Sequence, residues 1–496
     1  MHKLRKAVFL PPFLFLLVSA GLSIFFPERF HLTASGINDW ILQHFDWLFS
    51  WGTFSFLIIL LITYFSPIAK VRIGRAGAKP ILTKWQWFSI TLCTTIATGI
   101  LFWGTAEPMY HMHEGPANMQ GDTTFAMSSM FMHWSITPYG IYTLAGLVFA
   151  LCYYNLKQPF AVSSLLFPLM GLGAHGPLGK VVDAVCLFAL VAGMSASLGT
   201  GIMAISGGLE IFFGLQPGKL IYGLIGLVIV FAFVISASTG LKKGIRILSG
   251  INIRLFIVLA ILIFILGPTR EMLSIGLAGV GDYFQHFLPR SVGLDSDLPA
   301  SWTRSWTVFY WANWLAWTPV TALFLGRLAL GYTVRDFIHF NLFLPALFGG
   351  VWMIIFSGST LHFDSLTSQP MYSAMITDGP QAVVYSLFEF LPMGAIISIF
   401  FLIIVFISYV TAADSNTSAM TGMSVEGINP ENPEAPVQMK IIWGSLVGLV
   451  AWVMISYAGI DGVKMISNLG GFPALFLILL VGFGLLKLIW SGTDLN

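Results

Sequence analysis

The sequence predicts an all-α integral membrane protein with twelve transmembrane helices. Its 496 residues are 56% hydrophobic and only 9% charged, whereas a soluble domain usually carries about 25% charged residues. Apolar runs recur along the whole chain. The 50 glycines suit closely packed membrane helices, because glycine lets transmembrane backbones approach one another. A transmembrane β-barrel would instead alternate polar and apolar residues.

Twelve runs are long enough to cross about 30 Å of hydrocarbon. They lie near residues 8–26, 48–68, 86–106, 128–154, 181–213, 219–238, 251–268, 306–330, 338–358, 394–413, 438–458 and 468–490. The first run follows basic residues as a secretory signal would, but similar runs continue along the chain, which favours a retained helix. Most Lys and Arg residues fall in the termini and the even-numbered connections, so both termini are predicted to face the cytoplasm.

Three connections are too polar to cross a membrane. In residues 269–305 the stretch GLAGVGDYFQHFLPR has apolar residues at helical spacing, which predicts an interfacial helix. Residues 359–393 are predicted to form an outer loop with a short amphipathic helix, and residues 424–437 a polar cytoplasmic connection. We therefore expect one membrane domain and no soluble module.

Two aromatic segments, each ending at a proline, stand five helices apart. Helix 3 contains TGILFWGTAEPMY with Pro108, and helix 8 contains WTVFYWANWLAWTP with Pro319. Because five is odd, a second five-helix unit beginning at helix 8 enters from the opposite face, which is the signature of inverted repeats. The alternative is that these prolines simply end or kink helices, as is common in membranes.

The segment from Trp306 to Pro319 is unusually rich in tryptophan, with Trp311, Trp314 and Trp317 around a lone Asn313. Indole faces attract a dehydrated organic cation by roughly 0.5–2 kcal/mol per contact. The segment therefore indicates a cation site inside the membrane. For any single tryptophan the alternative is an anchor at the interface or a lipid-facing side chain.

Five separated motifs resemble the betaine/choline/carnitine transporter family. They are ILFWGTAEP at 100–108, MHWSITPYGIY at 132–142, KKGIRILS at 242–249, WTVFYWANW at 306–314 and TAADS at 411–415. The resemblance covers about residues 8 to 490. It implies a LeuT-like core of two inverted five-helix repeats preceded by two extra helices.

The resemblance also implies a domain organisation and a mode of action. The boundaries would be N-terminal helices 1–2 (1–85), a first five-helix repeat (86–268), an interfacial connecting helix (269–305), and a second five-helix repeat with a short C-terminal tail (306–496). A homotrimer in the inner membrane would move small methylated ammonium or sulfonium compounds by alternating access. No enzyme motif, such as a nucleophile elbow or a phosphate loop, is visible in the sequence.

Carried over by the resemblance, the family's central aromatic box falls on helices 3, 4 and 8. Its residues would be Tyr110, Trp134, Tyr139, Tyr142, Trp314 and Trp317. Trp306 falls where some members have an outer, transient site. Several rings together would replace the water around a trimethylammonium-like head.

Two positions depart from the family, since many members have tryptophan where this chain has Tyr139 and Asn313. Tyr139 keeps a ring, whereas Asn313 supplies an amide donor and acceptor. The amide can hydrogen-bond a carboxylate, a hydroxyl or a water, or it can bind a neighbouring helix. Substrates of the trimethylamine, choline, carnitine or betaine type are expected. The alternatives are a taurine- or dimethylsulfoniopropionate-type zwitterion, or an osmosensor or receptor on the same fold.

Sodium is a possible coupling ion, and no other cofactor is expected. Sodium-coupled members bind the ion between helix 3 carbonyls, here Thr95, Ile96 and Gly99, and hydroxyls near Thr411 and Ala412. Ala412 stands where those members often have serine. Arg246 matches an arginine of sodium-independent exchangers, which favours exchange without sodium. The alternative for Arg246 is an ordinary cytoplasmic loop charge.

The remaining ionisable residues of the membrane segments are predicted to be structural. We expect Glu107 to bind free backbone groups beside Pro108, and Asp414 to lie at a helix end, although proton coupling through either acid stays open. His111 and His113 are placed in an outer loop without an acid or cysteine at ligand spacing, so no metal site is predicted with His133. The basic residues are spread over loops, which predicts no nucleic-acid partner.

Overall fold

The chain is folded almost entirely into helices. A computed structural model describes residues 3–96, 99–238, 241–366, 368–428, 436–491 and 495. The described part of the chain contains no β-strand, and only two isolated β-bridges join distant segments, Leu4 with Val425 and Arg72 with Thr333.

Nineteen α-helices follow one another along the described chain. The first ten are α1 (Lys6–Phe25), α2 (Pro27–Phe65), α3 (Lys84–Ile96), α4 (Gly99–His113), α5 (Thr123–Trp134), α6 (Ile136–Ala150), α7 (Phe167–Met170), α8 (Pro177–Phe213), α9 (Lys219–Ser238) and α10 (Leu241–Leu266). The others are α11 (Thr269–Ser291), α12 (Ala300–Thr303), α13 (Phe309–Leu328), α14 (Val334–Ile338), α15 (Leu344–Asp364), α16 (Pro370–Asp378), α17 (Val383–Glu389), α18 (Gly394–Ser424) and α19 (Val437–Trp490).

Within the described residues, nine helices are long and apolar enough to cross a membrane, or ten if the bent pair α3 and α4 is one span. The chain is thus a multi-pass helical membrane protein, as predicted, while the number twelve stays a prediction. The spans near 438–458 and 468–490 are both helical, and a kink at the non-helical Gly459 (φ 54°, ψ −137°) separates two helical segments within α19. The span near 306–330 forms α13, which is not among the nine because its tryptophans and polar residues lower its hydropathy.

Two helix breaks lie next to the aromatic motifs, away from Pro108 and Pro319. Pro108 is inside α4 and Pro319 is inside α13, so neither proline ends its helix. The breaks instead separate α3 from α4, which meet at a bend of 53°, and α5 from α6 at Ser135 (φ −119°, ψ −112°). Each break is therefore next to an aromatic motif rather than at its proline.

The centre of the molecule is formed by α6 and α13. Every residue of α13 is buried except Asn313 and Arg327, which are half-buried, and every residue of α6 after Ile136 is buried. These helices pack against each other and against α19, and α13 also packs against α8. By contrast, α1 and α9 expose many large apolar side chains, as lipid-facing helices do.

The helix predicted within residues 269–305 is present as α11. Its buried residues Met272, Gly276, Gly279 and Tyr283 recur every three or four positions and form one face. That face packs against α5 and α15. A side chain at Gly276 would clash with Ile354, which explains the small residue there. The repeat boundaries remain predictions.

Candidate functional site

A pocket lies against the N-terminal half of α13, beside the bend between α3 and α4. Its cavity volume is about 40 Å³. Its aromatic lining consists of Trp103, Trp134, Tyr142, Phe309, Trp314 and Trp317. Its other lining residues are Thr94, Thr95, Gly99, Ala196, Ser197, Thr200, Asn313 and Val463. The pocket therefore combines ring faces with hydroxyl and amide groups, which suits a small organic cation carrying a polar group.

Trp314 is at the centre of the predicted aromatic box. Its ring centroid lies 5.6 Å from that of Trp134, 5.7 Å from Tyr139 and 5.2 Å from Tyr142. Its indole Nε1 donates a hydrogen bond of 3.2 Å to the backbone oxygen of His133. The structure thus gathers Trp134, Tyr142 and Trp314 at the pocket. Tyr139 is fully buried and touches Trp314 without lining the pocket.

Small residues make room for two of the pocket rings. A Cβ atom on Gly99 would lie 3.1 Å from the Trp134 ring. A Cβ atom on Gly193 would lie 2.9 Å from the Trp317 ring. Since both distances are shorter than ordinary contacts, a larger side chain at either glycine would displace a pocket ring.

Tyr110 lies outside the box in which the resemblance placed it. Its ring centroid is 5.1 Å from that of Trp306, and neither residue lines the pocket. Trp103 connects the two places, because it lines the pocket and meets Trp306 edge-on at 6.2 Å. We use the name outer cluster for Tyr110, Trp306 and the Lys464 ammonium, which lies 3.5 Å from the centroid of Trp306.

Several lining residues were not predicted. Trp103 and Phe309 belong to motifs quoted above, but a motif does not tell which face of its helix meets the pocket. Ser197 and Thr200 lie on α8, where hydroxyl groups inside a long apolar helix were the available signal. Such polar residues in membrane helices often face the protein interior.

Asn313 lies between the pocket and a neighbouring helix, so it contacts another helix as one alternative predicted, while its binding of a substrate stays a prediction. It lines the pocket, and its Oδ1 accepts a hydrogen bond of 3.0 Å from the hydroxyl of Ser467 on α19. No described residue accepts a hydrogen bond from its Nδ2. The amide NH₂ group is therefore the part of Asn313 that a ligand can use.

Glu107 is the most heavily bonded side chain beside the pocket. It is fully buried, and its Oε1 lies 3.0 Å from Nε2 of His111 and 2.6 Å from Nδ1 of His133. Its Oε2 accepts hydrogen bonds from the indole of Trp134, at 2.7 Å, and from the hydroxyl of Tyr310. The prediction that Glu107 binds backbone groups was wrong: four side chains are its partners.

The predicted positions of two histidines were also wrong. His111 is fully buried inside α4, four residues from Glu107, and His113 ends the same helix and lies 2.5 Å from Asp364. Glu107, His111 and His133 offer three ligand atoms within 4.8 Å of one another. Their separations are hydrogen-bond distances, and each carboxylate oxygen of Glu107 has two hydrogen-bonding neighbours. The expectation of no metal here remains a prediction.

The residues proposed for ion coupling lie on four helices: Thr95 and Ile96 on α3, Gly99 on α4, Arg246 on α10, and Thr411 and Ala412 on α18. Of these helices, α3 packs against α18. The hydroxyl of Thr95 donates to the Thr91 carbonyl at 2.9 Å, and that of Thr411 donates to the Ile407 carbonyl at 2.7 Å. Ala412 is buried and brings no side-chain oxygen. The side chains of Ile96 and Arg246 lie outside the described part of the structure, so their roles remain predictions.

Asp414 was predicted to lie at a helix end, but it lies in the interior of a helix. It is buried within α18, where its carboxylate accepts a hydrogen bond of 3.0 Å from Ser236 and lies 3.6 Å from the Lys440 ammonium. A buried acid with a cationic partner is the usual arrangement inside a membrane protein. Its predicted structural role is compatible with this pair.

The aqueous end of α4 carries one further acid near the outer cluster. Glu114 follows the last residue of α4 and is exposed. Loss of hydration raises the pKa of the Glu114 carboxyl, while the Lys464 ammonium opposes that rise. Glu114 and Lys464 therefore interact electrostatically.

A family model described as BCCT, betaine/carnitine/choline family transporter, matches residues 7–493. The chain belongs to this family. An ectoine/hydroxyectoine transporter of Virgibacillus pantothenticus is 29% identical over 484 residues, covering 96% of this chain and 95% of the relative. A probable glycine betaine transporter of Desulfitobacterium hafniense is 27% identical, with 94% of each chain covered. The osmo-dependent choline transporter BetT2 of Acinetobacter baylyi is 28% identical and covers 98% of this chain and 71% of that one.

Membership of the betaine/carnitine/choline transporter family confirms the resemblance seen in the five motifs. It also confirms that the chain is a membrane transporter and not an enzyme, because the family consists of transporters. These relatives are described as carriers of betaine, choline and ectoine. The family thus supports transport of quaternary-ammonium-type compounds.

Proposed function

We propose that this transporter is a secondary carrier that moves a small compound with a methylated ammonium head by alternating access. The observation that carries the proposal is the convergence of Trp134, Tyr142, Trp314 and Trp317 on one pocket at the central helix α13. Removing water from a cation is costly, and several ring faces together offset that cost. The rings would bind the head while the rest of the substrate meets the polar wall.

The polar wall favours a substrate with a hydrogen-bonding tail. Asn313, Ser197 and Thr200 provide an amide and two hydroxyls on the pocket surface. A carboxylate, as in a betaine or carnitine, or a hydroxyl, as in choline, can accept or donate bonds there. Trimethylamine would use the rings alone, and dimethylsulfoniopropionate would combine a sulfonium head with a carboxylate. We extend the proposal to a homotrimer in the inner membrane with both termini in the cytoplasm.

The test is uptake of labelled substrates into proteoliposomes that contain the purified protein. A thermal-shift panel of trimethylamine, choline, carnitine, glycine betaine, dimethylsulfoniopropionate and taurine would first select the ligands. Saturable uptake and counterflow from preloaded vesicles are expected for at least one methylated compound. A receptor or osmosensor would bind without counterflow. Absence of saturable uptake for the whole panel would refute the carrier proposal.

We expect exchange of the substrate to continue without sodium. Ala412 lacks the hydroxyl that sodium-coupled members supply, and the Thr411 hydroxyl is engaged with its own helix. Replacing sodium by potassium on both sides of the vesicle should leave exchange of labelled substrate unchanged. As the control, exchange is measured again in the same vesicles after sodium has been restored. Loss of exchange in potassium would show that sodium is the coupling ion.

Asn313→Ala is expected to weaken binding of substrates with a carboxylate by about tenfold, since a hydrogen bond to a charged group contributes about 1.5–3 kcal/mol. Binding of trimethylamine, which has no tail, should change little. Ser467→Ala is the matched control, because it removes the bond to Oδ1 and keeps the amide at the pocket. Equal losses in both variants would mean that Asn313 acts only through its contact with α19.

A further inference from the structure

The outer cluster contains a cation that belongs to the protein itself. The Nζ atom of Lys464, on α19 just beyond the Gly459 break, lies 3.5 Å from the ring centroid of Trp306. It also lies 5.6 Å from the centroid of Tyr110 and 5.5 Å from that of Phe309. These distances are those of cation–π contacts. The ammonium therefore covers a ring face that an ammonium substrate would otherwise use.

The ammonium is held mainly by rings and not by a carboxylate. Among the ion pairs of the described residues, none includes Lys464. The acids that face it are Asp461, Glu114 and Glu107, and they act at longer range. Glu107 is engaged with its four donors, while Asp461 and Glu114 are exposed to solvent. A flexible lysine held in this way can turn toward an incoming anion.

The outer cluster adjoins the pocket directly. Val463, the residue before Lys464, lines the pocket, and so does Phe309. Trp103 also lines the pocket and meets Trp306 edge-on. A substrate resting on Trp306 would thus be one ring away from the predicted box. The lysine stands at the boundary between the two places.

We propose that Lys464 is a specificity-determining residue that favours zwitterions with a carboxylate over purely cationic substrates at the outer cluster. The proposal rests on the proposed function as a carrier of methylated ammonium compounds. A zwitterion can satisfy both the Trp306 ring and the Lys464 ammonium. Its cationic head binds the ring face in place of the lysine, and its carboxylate pairs with the ammonium that is released. A cation such as choline takes the ring face but leaves the lysine ammonium beside a like charge.

The test compares binding of labelled glycine betaine and labelled choline to the purified, full-length protein. Wild type is expected to prefer glycine betaine. Lys464→Met, which keeps the length of the side chain, should shift that preference toward choline by about tenfold, within the range of one cation–π contact. Lys464→Arg should keep the wild-type preference. Lys487→Met, at an exposed lysine of the same helix, is the matched control and should change nothing.

A second comparison separates the local contact from the general effect of charge. In the Lys464→Met background, Trp306→Leu should remove the gain in choline binding, because the freed ring face is then absent. A gain that persists without Trp306 would overturn the proposal. Should Lys464→Met fail to give a monodisperse protein, Lys464→Gln takes its place.

The outcomes distinguish this inference from the function on which it rests. Failure of wild type to bind any compound of the panel would refute the proposed function and this inference with it. Binding of both ligands with the same preference in wild type and Lys464→Met would overturn the role of Lys464 and leave the carrier function standing.

Discussion

Trp314→Ala is expected to reduce uptake of the substrate by at least about 100-fold, because one change removes a ring face and the support of three neighbouring rings. Trp314 is the common neighbour of Trp134, Tyr139 and Tyr142. Without its indole, those rings lose the contact that sets their spacing. Initial uptake rates in proteoliposomes at equal protein content measure the effect.

Truncation of a buried tryptophan to alanine also costs about 3–5 kcal/mol of stability. Trp314→Phe is therefore measured beside Trp314→Ala, to separate loss of the binding ring from loss of folded protein. Phenylalanine keeps an aromatic ring, so uptake by Trp314→Phe should be about tenfold lower than that of wild type. The matched control is Trp352→Phe, at a fully buried tryptophan that stacks on Phe356 and does not line the pocket. Near-normal uptake by Trp314→Ala would show that the substrate path lies elsewhere.

Glu107→Ala is expected to cause the largest loss of stability among single substitutions in the membrane core. It would leave four buried donors without an acceptor, from His111, His133, Trp134 and Tyr310. Since each unsatisfied donor costs about 1–3 kcal/mol, a loss of at least about 4 kcal/mol is expected. The loss of stability is measured by thermal unfolding in detergent, with the fraction of monodisperse protein as the signal.

Glu107→Gln should be less damaging, because the amide keeps one oxygen acceptor. Glu389→Ala, at an exposed acid where α17 ends, is the control and should leave the unfolding temperature unchanged. If Glu107→Ala unfolded at the temperature of wild type, the hydrogen-bonded cluster around Glu107 would carry no stability.

Much of this architecture was predictable from the sequence. Long apolar runs become helices because unpaired backbone groups are too costly in hydrocarbon, so the helical segments followed directly. The family resemblance proposed Trp134, Tyr142, Trp314, Trp317 and Asn313 as site residues, and in the structure these five residues line one pocket. Their role in binding the substrate stays a prediction.

The rest depended on contacts that no local pattern contains. Pro108 stays inside α4, because neighbouring helices can satisfy the backbone group that a proline frees. Tyr110 faces Trp306 and not Trp314, and only the packing of α4 decides which way that ring points. The bonds of Glu107 to His133 and Tyr310 and the contact of Lys464 with Trp306 join residues far apart in sequence.

The carboxylate of Glu107 also has a mechanical consequence. It cross-links three segments that are separate in the chain: α4 through its own backbone, α5 through His133 and Trp134, and α13 through Tyr310. These helices cannot separate at this level without breaking several buried hydrogen bonds at once. Under the proposed alternating-access mechanism, we therefore expect α4, α5 and α13 to move together at this level, and the helices that face them to make the displacements that admit or release a substrate.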